Sequence, residues 1–135
     1  MRALNRSSSL SVMIVVGLFY AAVGILFAQF APVLLWRRLA WVVSAMAFGG
    51  HIAYEHYLRG SSSRRLAGCV SSAAAIGAFG LAAAANVHAW SVPAANHSAL
   101  GMALVVWPMV VGIPAFVVGM IAAAIAERVW PRRNS

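Results

Sequence analysis

Lysine is missing from this chain, acidic residues number two, and cysteine occurs once. Glu55 and Glu127 carry the whole negative charge against ten arginines, and charged residues make up 9% of the sequence. An ordinary soluble domain holds roughly 25% charged residues, so a solvated globular surface is excluded. The solitary Cys69 rules out an intramolecular disulfide and any CxxC metal or redox pair. A small packed side chain is its expected role. Also lacking are a GxSxG elbow, a P-loop, an HExxH pair and a dinucleotide fingerprint. No enzymatic activity, cofactor or metal is therefore expected.

What fills the space instead is apolar. Of 135 residues, 63% are hydrophobic, more than a small fold can hide from water given its surface-to-volume ratio. The excess must face lipid. A net charge of +8 raises the question of nucleic acid. The arginines, however, stand in short runs beside long apolar segments, where they set topology and meet anionic lipid. No nucleic-acid partner is expected. The Arg and Ala bias fits a GC-rich bacterial genome and a multi-pass protein of the bacterial inner membrane.

A membrane-crossing helix needs about 20 predominantly apolar residues. Four segments approach that length: residues 10–31, 39–57, 66–87 and 99–126. The first has a basic start, but its apolar run exceeds that of a signal peptide and no small-x-small site precedes Pro32. The third is rich in Ala, Gly and Ser and suits close packing more than autonomous insertion. Charge supports counting it. With four spans, Arg2, Arg6, Arg59, Arg64, Arg65, Arg128, Arg132 and Arg133 share one side and only Arg37 and Arg38 the other. The positive-inside rule then places both ends in the cytoplasm. Trp36, Trp41 and Trp90 fall at the outer interface, and Tyr57 and Trp130 at the inner one. The expected fold is all-α, a polytopic integral membrane protein whose residues 1–135 form one compact bundle of four transmembrane helices. Its plan resembles that of small multidrug transporters in architecture alone, because the first span contains no acid to match that family's first-helix glutamate.

Small residues recur at three- and four-residue steps: Gly17, Ala21, Gly24 and Ala28 in the first span, Ala74, Ala78, Ala82 and Asn86 in the third, and Gly112, Gly119 and Ala123 in the fourth. Such stripes let helix backbones approach closely and put the third helix at the centre of an antiparallel bundle. Pro108 and Pro114 are expected to bend or locally open the fourth helix.

Few side chains offer chemistry. His51 and Glu55 stand four apart on one helix face, with Tyr54 adjacent, a candidate proton or ligand site in which the carboxylate orients the imidazole; the alternative is a neutral, hydrogen-bonded structural histidine. His56 falls on the opposite side of that helix. Glu55 precedes Arg59 in the favourable order for a helical ion pair, and Glu127 adjoins Arg128. Asn86, His88 and His97, with Asn96 nearby, form a candidate polar cluster at the outer face. Three functions follow in descending order: a non-enzymatic accessory or assembly subunit, a small oligomeric proton-coupled transporter or channel, and a metal- or haem-binding membrane protein. The partners expected are the lipid bilayer and either further copies of the chain or another membrane protein.

Overall fold

A computed structural model describes residues 2–29, 34–91 and 96–129. These form α1 (Arg2–Gln29), α2 (Leu34–Ala53), a π-helical turn (Tyr54–Leu58), α3 (Ser63–Ala89) and α4 (His97–Val129). No strand occurs among the described residues. α3 and α4 overrun their apolar segments at both ends, whereas α1 and α2 begin earlier than theirs. The second begins at Leu34, ahead of Arg37 and Arg38, and the first takes in the polar residues 2–9.

Helix ends follow local chemistry. Asn96 caps α4, its side-chain oxygen accepting the Ala99 amide at 3.1 Å, as short polar side chains do at N-caps. At the end of α2 the Arg59 amide reaches the Tyr54 carbonyl at 3.3 Å, a five-residue step that widens the helix by one residue per turn. Gly60 then takes φ +58°, a left-handed conformation that costs a glycine nothing and reverses the chain.

α3 is the hub. It packs along both α1 and α4, which make little contact with each other. The small-residue stripes form these seams. A methyl group on Gly17 would lie 2.7 Å from Ile76 Cβ and 3.0 Å from the Ala73 carbonyl, and one on Gly77 would lie 2.5 Å from Tyr20 Cβ. On the other side, a methyl on Gly119 would meet Ala67 Cα at 3.0 Å. The Ser71 hydroxyl donates to the Gly112 carbonyl at 2.7 Å. Pairings rise together along α1 and α3 and run in opposite senses along α3 and α4. α1 and α3 are thus parallel, α4 is antiparallel to α3, and the start of α1 and the end of α4 lie at one pole. Ala28 lies where side chains are outside the described set.

α2 is peripheral. It lies chiefly against α1 and reaches α3 and α4 more sparingly. Phe48 and Ile52 pack on the apolar cluster of Leu66, Val70 and Ala123. That cluster marks the proximal pole, where the π turn, the Gly60 turn, the start of α3 and the end of α4 meet. α4 is assigned as one helix through Pro108 and Pro114.

Two helices, α3 and α4, are long and apolar enough to cross a membrane, and α1 contributes a shorter apolar stretch, Leu10–Leu26.

Candidate functional site

The proximal pole buries polar groups as well as apolar ones. Glu55 is only 1% exposed and, with Leu66 and Val70, is among the largest fully buried side chains. A buried carboxylate is costly unless its oxygens are bonded, and here both are engaged. Ser61 Oγ donates to Oε2 at 2.6 Å. Arg59 Nη1 stands 3.5 Å from Oε1, forming the i,i+4 ion pair. The Ser61 amide donates to the Glu55 carbonyl at 3.1 Å. The π turn and Gly60 together bring Ser61 back over Glu55, so one carboxylate fastens the reversal between α2 and α3.

This arrangement changes the expected roles. The Glu55 carboxylate does not orient His51. Both ring nitrogens of His51 are buried without a hydrogen-bond partner, as is His56 Nδ1. His56 is buried as well. It is 6% exposed, against 5% for His51. In an α-helix residues five apart are about 140° out of phase; the wider π turn lets His56 join the buried side. The His56 ring meets Tyr57 edge-on at 4.9 Å between centroids. Tyr54, in contrast, is 37% exposed and is not gathered into the buried group.

Two imidazoles near a buried carboxylate, with three ring nitrogens unsatisfied, form an unusual grouping for a protein interior, where buried polar atoms are nearly always bonded. Chemically it can accept or release a proton. Among the described residues no three His, Cys, Asp or Glu side chains converge as metal ligands would. Cys69 is half-buried. A further unsatisfied group, the Tyr20 hydroxyl, is buried on α1, the helix that packs Tyr20 Cβ against Gly77.

At the distal pole the expected cluster of Asn86, His88 and His97 is not assembled. Asn86 Nδ2 donates to the carbonyls of Ala82 at 2.9 Å and Leu100 at 2.7 Å, tying α3 to α4. His88 and His97 are exposed, and no described hydrogen bond joins the three side chains. The His88 carbonyl accepts the Ser91 hydroxyl at 2.6 Å. Glu127 accepts the Ser63 hydroxyl at 2.6 Å, linking the end of α4 to the start of α3.

Ser61 and Ser63 supply the two hydroxyl contacts to carboxylates, and sequence spacing alone does not reveal either. Six residues separate Glu55 from Ser61, beyond any helical neighbour rule. The signal for that contact is Gly60, whose freedom at positive φ permits the reversal. Comparison with known protein families, with curated proteins and with solved structures yields no match for this chain.

Proposed function

We propose that the chain is a four-span inner-membrane protein with both ends in the cytoplasm, acting without catalysis as an accessory or assembly subunit for a membrane partner. The observation that carries this reading is the apolar exterior. Trp41 is 78% exposed, and Met46 on α2 and Val105, Ile113 and Ile125 on α4 are likewise open. Contiguous surfaces of this kind are not sustained in water, whereas lipid solvates them at no cost. The parallel course of α1 and α3 supports a shared side for the two ends, and the arginine asymmetry supports the cytoplasm as that side. The accessory role is supported by α2, which is held loosely by its own chain and leaves one flank for another helix. Helix association in lipid relies on such close contacts. Solubilising the tagged protein in mild detergent tests this: a membrane partner should co-purify in stable proportion, and a lone stable species would contradict the role.

A second reading, a small oligomeric proton-coupled transporter or channel, draws support from the unsatisfied His51 and His56 nitrogens beside Glu55. Ionisable groups within a span are expensive and commonly mark proton or ion paths. It requires that His51→Ala and Glu55→Gln abolish proton-coupled flux in proteoliposomes while the protein still folds. Unchanged flux eliminates it.

A further inference from the structure

His51, Glu55 and His56 are all buried where α2 passes into the π turn. Both Glu55 oxygens are committed, one to Ser61 and one to Arg59. Both His51 nitrogens and His56 Nδ1 bond nothing. A neutral imidazole carries one N–H donor and one bare nitrogen. A proton taken up at His51 therefore creates a second buried N–H without an acceptor.

The surrounding elements offer one acceptor for it. α2 contains no acid, and its arginines stand at its far end. The described side chains of α1 include no charged group, only the buried and unbonded Tyr20 hydroxyl. α3 brings Arg64 and Arg65, both exposed, and the half-buried Cys69. α4 brings Arg128 and Glu127, also exposed, and Glu127 is held by Ser63. The π turn adds the exposed Tyr54 and Tyr57. Glu55 is the one buried acid, adjacent to His56 in the chain, and its electrostatic field reaches His51. A charged imidazole and the reversal between α2 and α3 thus compete for the same two oxygens.

We infer that the proximal pole is a proton-operated latch, in which protonation of the His51–His56 pair draws Glu55 off Ser61 and Arg59 and releases the reversal. The proton comes from solvent, the new N–H donates to the carboxylate, and Ser61 loses its acceptor. Because a proton is bound on release, linkage weakens the latch as the pH falls and restores it as the pH rises. α2 meets α3 and α4 only sparingly, so release loosens its main anchor to them. The π turn is the one stretch of non-α helix among the described residues, and such turns are frequent at functional sites. The latch needs only the burial of this group and is independent of both functions proposed above.

Hydrogen exchange of the full chain in detergent tests it, read at the Ser61 amide, which donates to the Glu55 carbonyl. One proton bound per opening raises the opening constant by up to about tenfold per pH unit while the imidazoles titrate. Between about pH 8 and about pH 5, protection should fall at least about tenfold once the ordinary pH dependence of exchange is divided out. H51L/H56L should stay protected throughout, S61A should be unprotected at both ends of the range, and H88A/H97A should follow the parent. Nitrogen NMR of the parent should show a buried imidazole gaining charge over the same interval, a readout that stands even if a variant does not fold. PH-independent protection in the parent would overturn the latch. So would a pH dependence that survives in H51L/H56L or vanishes in H88A/H97A, or imidazoles that stay neutral while protection is lost.

Discussion

The two poles of the bundle are built on different terms. At the proximal pole four elements converge, a carboxylate is fully buried, and its bonds hold the reversal from α2 to α3. At the distal pole a single asparagine bridges α3 and α4, and both histidines are exposed. A small-residue helix such as α3 brings close backbone approach but few large side chains, so along its length the bundle is joined by packing with the single Ser71–Gly112 hydrogen bond among the described contacts. Polar bonds then decide where it is locked, and they lock it at one end. The only buried imidazoles among the described residues lie at that locked end, where the structure is best able to hold unsatisfied groups.

Glu55→Ala should show this contrast most strongly. It leaves Arg59 and Ser61 facing a buried void, and losing one member of a buried pair costs about 3–5 kcal/mol. Thermal unfolding in detergent should fall accordingly, and a near-neutral result would mean that the proximal lock is not structural. Gly119→Leu comes next. Its side chain would press on the Ala67 backbone, which cannot swing away, and overpacking of this kind costs about 1–3 kcal/mol. The same substitution at Gly49, where the space is open, should be tolerated, and equal damage at both positions would erase the distinction between seam and free flank. Asn86→Ala removes the distal bridge and leaves the Leu100 carbonyl short of a partner, for about 1 kcal/mol. His88→Ala and His97→Ala should stay within about 0.5 kcal/mol of the parent, as exposed substitutions do. A larger loss would show a distal contact that the fold does not account for.

Much of the architecture is legible in the residues. Helical content, the four apolar segments and the seams through Gly17, Gly112 and Gly119 follow from periodicity and side-chain size, which act locally and repeat. The site is less legible. Pairing His51 with Glu55 assumes uniform α geometry, and the π turn at Tyr54–Leu58 breaks that assumption by one residue. It moves His56 inward, and the reversal at Gly60 hands the carboxylate to Ser61. Asn86 reads as a polar outlier in sequence, because its partner, the Leu100 carbonyl, belongs to the backbone of the next helix and leaves no mark on composition.

The claim beneath all of this is that the bundle crosses a bilayer an even number of times. Reporter fusions at the two chain ends, one active only in the cytoplasm and one only outside it, measure that directly. Both ends should report the cytoplasmic face. Ends reporting opposite faces would contradict the four-span account and the orientation of both poles.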